Sequence, residues 1–436
     1  MAITRRDFLK SSAAAAAALT VPHPIFRGMA NAAGPAGAIV VILQMEGGND
    51  GLNMVVPLDG PQRTLYQNAR PNLQIPAVNL LPIDDDPVTT DGLGLHPSLA
   101  ELHTLYGAGR VAVVNGVGYP SQSLSHFRSE DIWFGGLTSA QLYDDGWFGR
   151  YLTGSFAGQL VTLDCDGELS PIFFGDDANV LAIKNLSQFV IPDDPLYPDL
   201  ADKKTTLQAC YDDEASSTTG AQLSIGVSGD VLLSKMDDYA NVSTSWSSNL
   251  NALTGGLAAR LKQVASVIRY DNGMPPPASP TGARFFHVRL GGFDTHTNQG
   301  ALTGRQPDLF AQLSKAIKAF YDDMVALGVA NKVLLMTFSE FGRRVAENGA
   351  AGNAGTDHGA AAPLFIVGNP VIAAPGGGHV FGRVPALDAG LLDGGRNLAW
   401  HTDFKQVYAT IIDRWLNGNS AAVLGSAYTH VPFVST

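Results

Sequence analysis

Polar residues able to do chemistry cluster in a few short, Gly-flanked stretches. They are Glu46-Gly-Gly-Asn49-Asp50-Gly51, Ser125-His126, Gly291-Gly-Phe-Asp294-Thr-His296-Thr-Asn298, Ser339-Glu340-Phe341-Gly342-Arg343-Arg344 and Gly355-Thr-Asp357-His358-Gly359. Carboxylates with imidazoles are the ligand set for zinc or manganese, and a serine beside such an ion is a candidate nucleophile. Asp294 and His296 stand two apart, so from an extended segment they point the same way and can share an ion. Asp357 and His358 point oppositely, so one can ligate while the other orients it. Bland roles compete with these. Asn49-Asp50 equally suits a turn, Ser125 a helix N-cap, and Arg343-Arg344 a solvated helix start. His96, His103, His287, His379, His401 and His430 read as structural or exposed.

These stretches are bracketed by apolar runs. Residues 38–45 (AIVVILQM), 110–117 (RVAVVNGV), 284–290 (RFFHVRL), 332–338 (KVLLMTF) and the shorter 364–367 read as strands buried on both faces. Three- and four-residue apolar spacing predicts helices over 97–106, 125–133, 249–269, 308–327 and 404–416. Strands alternating with helices predict an α/β fold with a doubly wound, mostly parallel sheet and helices on both faces. Residues 154–241 carry a weaker pattern and read as an insertion or cap over that sheet. In such sheets ligands bind beyond the carboxyl ends of the strands, which is where most of the polar stretches fall.

Composition bounds the rest. The chain has 436 residues, 45% hydrophobic and 16% charged, enough apolar content for a large core. Its net charge of −12 argues against a nucleic-acid-binding face. Two cysteines, Cys165 and Cys210, make neither a disulfide scaffold nor a thiolate zinc site. No apolar run after the N-terminus is long enough to span a membrane. At the N-terminus, Arg5 and Arg6 precede a short apolar stretch, and Ala30-Asn31-Ala32 is a cleavage pattern. Residues 1–32 are expected to be a leader and 33–436 a single domain.

Thr4-Arg5-Arg6-Asp7-Phe8-Leu9-Lys10 resembles a twin-arginine export signal. The resemblance implies passage through the twin-arginine machinery to the periplasm or beyond. The wider motif set resembles the bacterial secreted proteins grouped as domain of unknown function 1501. It comprises residues 43–53 (LQMEGGNDGLN), 95–97 (LHP), 125–129 (SHFRS), 291–296 (GGFDTH), 338–343 (FSEFGR) and 355–359 (GTDHG). That family is similar in fold to the alkaline phosphatase and sulfatase superfamily. The resemblance implies a metal held by Asp294, His296 and His358. It implies a second, poorer set of Asp50 (or Glu46), Ser125 and Glu340, with Phe341 standing where the superfamily has a histidine. Ser125 would be the nucleophile, and Arg343 or Arg128 would stabilise charge on the transferring group. The function so implied is hydrolysis of phosphate or sulfate esters, small or polymeric. The alternative is a non-catalytic binding or structural protein with a degenerate site.

Overall fold

The computed structural model describes residues 37–87, 91–156, 158–176, 179–191, 200–216, 220–273 and 276–435. The predicted leader lies outside them. The strands are β1 (Ile39–Glu46), β2 (Val55–Pro57), β3 (Leu81–Ile83), β4 (Leu93–Leu95), β5 (Val111–Gly118), β6 (Leu160–Asp164), β7 (Asn179–Ala182), β8 (Phe285–Gly291), β9 (Val333–Phe338), β10 (Ala362–Val367), β11 (Val380–Phe381) and β12 (Thr402–Asp403). Nine of them form one sheet in the order β11-β5-β10-β9-β1-β8-β6-β7, with β12 also on β5. Every pairing in it is parallel except those of β10, which runs antiparallel to both β5 and β9. Strands β2, β4 and β3 make a small separate sheet.

The two-residue period of β1 sorts its side chains onto two cores. Ile39, Val41, Leu43 and Met45 meet helices α2 (Ala100–Gly107), α7 (Gly256–Asp271) and α8 (Arg305–Ala326) on one face. Val40 and Ile42 meet α3 (His126–Gly135), α4 (Trp147–Phe156) and α9 (Phe404–Thr410) on the other. The remaining helices are α1 (Gly60–Ala69), α5 (Leu200–Ala215), α6 (Gly220–Ala240) and α10 (Ser420–Leu424). Burial of both faces is why the strands read as unbroken apolar runs.

Three expectations change. Residues 160–182 are not a cap: β6 and β7 extend the main sheet, and within 154–241 the helices α5 and α6 form a hairpin outside the sheet, with Tyr239 of α6 buried in the core against it. The helix expected from 249 is broken, with a 3-10 turn at Asn249–Ala252 and α7 starting only at Gly256. The break falls at Gly255, whose φ of +110° lies outside the helical region. The last helix passes from α into a π turn over Ile411–Trp415.

Candidate functional site

The carboxyl ends of β1, β8 and β9 form one rim, and α3 begins beside it. Because β10 is antiparallel, its N-terminal approach also lies there, which brings His358 to a rim it would miss in an all-parallel sheet. Backbone bonds from Gly342 to Ala360 (2.7 Å) and from Gly359 to Gly342 (2.8 Å) pin that approach to the exit of β9. The exit of β1 is pulled in equally closely. Gly47 and Gly48 adopt φ of +117° and +74°. A Cβ at Gly47 would lie 2.4 Å from the Asp294 nitrogen, and one at Gly48 would lie 2.3 Å from the Phe341 ring, so both positions require glycine.

His126, Asp294, His296 and His358 meet on this rim. His358 Nε2 is 2.9 Å from His296 Nε2 and 3.3 Å from Asp294 Oδ1. His296 Nε2 is 3.1 Å from Asp294 Oδ1, and His126 Nε2 is 3.7 Å from Asp294 Oδ2. One ligating atom each from His126, Asp294 and His358 falls within a mutual 4.8 Å. Donors of a tetrahedral ion with bonds of about 2.0–2.1 Å sit roughly 3.3 Å apart, so these separations suit a shared ion.

The other nitrogen of every ring is already engaged. His126 Nδ1 lies 2.7 Å from Glu340 Oε1, His358 Nδ1 lies 2.8 Å from the Leu124 carbonyl, and His296 Nδ1 lies 3.4 Å from Asp357 Oδ1. An acceptor at Nδ1 fixes the proton there and leaves the Nε2 lone pair free, the arrangement found around metal-bound histidine. Those acceptors are themselves held. Glu340 is buried and takes the Gly47 N–H at 2.9 Å, while Asp357 takes Arg344 and Asn348, each at 2.8 Å.

The electrostatics follow from these contacts. Burial opposes ionisation of Asp294, but the Arg343 hydrogen bond and charge, helped by His358 and His296, hold it below its ordinary value. Asp357 is likewise lowered, because Asn348, Arg344 and His296 outweigh burial. Burial, aided by Arg343 and His126, lowers His358 and keeps its ring neutral, against the Leu124 carbonyl and Asp294. His126 is raised by its bond to Glu340 and the charges of Glu340 and Asp294, against burial.

The expected residues divide accordingly. Asp294, His296 and His358 come together, and His126, one of the three histidines on the predicted rim but absent from the expected ligand set, joins them. Its signal was the pairing with Ser125 after the second strand. Glu340 sits behind His126, 2.7 Å from its Nδ1, outside the cluster of His126, Asp294 and His358. Asp50 is not in the cluster: it is fully buried, and Arg70 (2.5 and 2.9 Å) and Gln299 (2.6 Å) occupy its carboxylate. Arg343 is also fully enclosed. It donates to the carbonyls of Gly47, Gly48, Phe293 and Thr356 and to Asp294 at 2.6 Å, so it fastens the loops and orients Asp294. Glu46 pairs at 3.7 Å with Arg289, and Arg128 holds the carbonyls of Ser139 and Gln141. Ser125 is exposed at the N-cap of α3, where its side chain makes no capping bond. Phe341 packs its ring 4.8 Å from His126 and 4.6 Å from His358. Cys165 and Cys210 are free thiols.

Fold and site together define an α/β protein with an Asp/His cluster whose spacing suits a metal ion. Residues 278–398, which carry Asp294, His296, Glu340, Arg343 and His358, match the family described as protein of unknown function DUF1501. Residues 2–22 match a twin-arginine translocation signal sequence, which assigns the protein to that export machinery and to the periplasm or beyond. Among the described residues no helix is long and apolar enough to cross a membrane. No curated protein matches the chain.

Among solved structures, the chain is similar to a protein in the alkaline phosphatase superfamily from Vibrio parahaemolyticus, at 9% identity over 84% of this chain and 69% of that one, with a TM-score of 0.32. It is similar to alkaline phosphatase from the Antarctic bacterium TAB5, at 10% identity over 76% of this chain and 92% of that one, with a TM-score of 0.28. It is also similar to the PsFucS1 sulfatase from Pseudoalteromonas sp., at 11% identity over 87% and 69%, with a TM-score of 0.26.

Proposed function

We propose that the protein is an exported metal-dependent hydrolase of phosphate or sulfate esters. One observation carries this reading: three imidazoles, each anchored at Nδ1, turn Nε2 toward one carboxylate, Asp294. Three nitrogens and an oxygen suit zinc or manganese. An ion bound there supplies Lewis-acid stabilisation of the charge that develops on the transferring group.

The chain's own residues do the rest. Ser125 offers its uncapped hydroxyl as nucleophile from the start of α3, where unpaired backbone N–H groups favour an anionic group. Glu340 and Asp357 hold His126 and His296 in the required tautomer, and Arg343 keeps Asp294 ionised and aimed. Asp50 takes no part in this scheme; it joins β1 to α1 through Arg70. The test is elemental analysis of protein purified without chelator, beside turnover of 4-nitrophenyl phosphate and 4-nitrophenyl sulfate by the metal-loaded form. Stoichiometric metal is expected, with turnover lost in Ser125→Ala while its metal stays. Absence of metal under every loading condition overturns the reading.

Two observations favour the alternative of a non-catalytic binding protein. Asp50 is locked to Arg70, and Phe341, at the position where the resemblance implies a histidine ligand, packs its ring against His126 and His358. Metal retention without turnover of any ester would select it.

A further inference from the structure

We propose that Gln299 is a positioning residue for the ion: its buried side-chain amide sets the spacing of the two loops that carry Asp294, His296 and His358. The inference rests on the metal-binding part of the reading above. His296 and His358 stand 62 residues apart in the chain, yet their Nε2 atoms lie 2.9 Å apart. Their loops pack closely. The Thr356 N–H donates to the Thr295 carbonyl at 3.1 Å, and the Gln299 N–H to the Ala354 carbonyl at 3.0 Å. A Cβ at Gly355 would lie 2.3 Å from the His296 carbonyl carbon. These backbone contacts fix the approach, and the side chain of Gln299 ties the two loops a second time from beneath.

Asp294 and His296 are open to the rim, whereas Thr295 between them is buried, as is Thr356 beside Asp357. Both buried hydroxyls converge on Gln299 Oε1, Thr356 Oγ1 at 2.7 Å and Thr295 Oγ1 at 3.1 Å. One oxygen thus joins the residue between Asp294 and His296 to the residue two before His358. The amide fits only one way round. Its Nε2 donates at 2.6 Å to Asp50 Oδ2, and that carboxylate, paired with Arg70, can only accept. Oε1 therefore faces the hydroxyls, and both donate to it. Gln306 closes the network, its N–H on the Gln299 carbonyl at 2.9 Å and its Nε2 on the Asp50 carbonyl at 3.1 Å. Any other rotamer of Gln299 would leave buried donors and acceptors unpaired, so the tie is stiff. Asp50, though no ligand, holds the amide in place. Groups that share an ion must stay within roughly 0.5 Å of their working geometry, and this network supplies that constraint across the two loops.

The test is titration of the metal-free mature protein with cobalt(II), which accepts the ligand sets of zinc and whose visible absorption reports their geometry. Wild type is expected to form a coloured complex. Gln299→Met, close in volume but unable to bond either hydroxyl, should weaken cobalt binding roughly tenfold and alter the absorption band. Thr356→Val should do the same, while Thr356→Ser, which keeps the hydroxyl, should retain wild-type affinity and colour. If Gln299→Met does not fold, the two Thr356 variants decide. A lowered melting temperature in Gln299→Met and Thr356→Val, with cobalt affinity and absorption unchanged, assigns Gln299 to the fold alone and overturns this inference. Equal weakening by Thr356→Ser and Thr356→Val overturns it too, and in either case the metal reading stands. Absence of cobalt binding in wild type overturns both.

Discussion

Two groups of Asp and His residues lie at neighbouring strand ends of the same sheet, and they are built to opposite effect. The first is His126, Asp294, His296 and His358 at the ends of β1, β8 and β9. The second is Asp164, Asp166 and His287, on β6, just beyond it and within β8. Both bring three ligating atoms within 4.8 Å. In the first, each Nδ1 is taken by a group outside the cluster and the Nε2 atoms face inward. In the second, His287 spends Nδ1 on Asp164 at 3.0 Å, and its buried Nε2 has no partner. Asp164 also accepts backbone N–H groups from Asp166 (2.9 Å) and Ser170 (3.1 Å), while Arg260 and Arg289 pair with Asp166. Two guanidinium groups thus already serve as counter-ions to Asp166. Residue type alone makes these clusters look alike; their partners differ, leaving the inward Nε2 atoms of one free for the proposed ion and tying the carboxylates of the other into an ion-pair network.

The largest expected difference is in metal content. His358→Ala and Asp294→Asn should lose stoichiometric metal, whereas His287→Ala should retain it, all read by elemental analysis. Metal lost from His287→Ala without loss from His358→Ala would reverse the assignment of the two clusters. The network should fail in a different quantity. Removing the charge in Arg260→Met leaves Asp166 buried with one counter-ion fewer, at about 3 kcal/mol of stability. Denaturant titration should show the loss, with metal content unchanged. The orienting carboxylate comes next in size: Glu340→Gln should weaken metal affinity by roughly 10–100-fold while preserving the fold.

The smallest effect links the two regions through Glu130. This carboxyl bonds Gln44 at 2.8 Å, and burial, with the charges of Glu340 and Glu46, pushes its pKa up to about 7 against the influence of Gln44 and Arg289. A raised folded-state value means the folded chain holds a proton that the unfolded chain has released above about 4.5. Its contribution is fully present below pH 4.5 and is lost as pH rises through 7. Glu130→Gln should therefore flatten the decline in stability between those pH values, as thermal melts across the range would reveal. An unchanged slope would mean that Glu130 ionises freely in the fold.

Much of this was legible in the chain. The apolar strands were readable because burial on both faces leaves no polar positions. The stripe of α8 was readable because Leu309, Leu313, Ile317 and Phe320 recur at helical spacing and are all buried. The Gly-flanked Asp and His stretches stood out because charged residues there interrupt the apolar runs of the strands, although Asp50 and Arg343 prove to be buried structural groups. By itself the sequence determined the export signal, the α/β class and the residues available for a site. Tertiary structure decided which of them meet. Asp50 reads as a ligand until Arg70, twenty residues on, takes its carboxylate. Nothing local announces that Glu340 lies behind His126, 214 residues away. The antiparallel turn of β10 alone brings His358 to the rim. Such choices depend on contacts between distant segments, where a hydrogen-bond partner or a strand direction, rather than residue type, sets what a side chain is free to do.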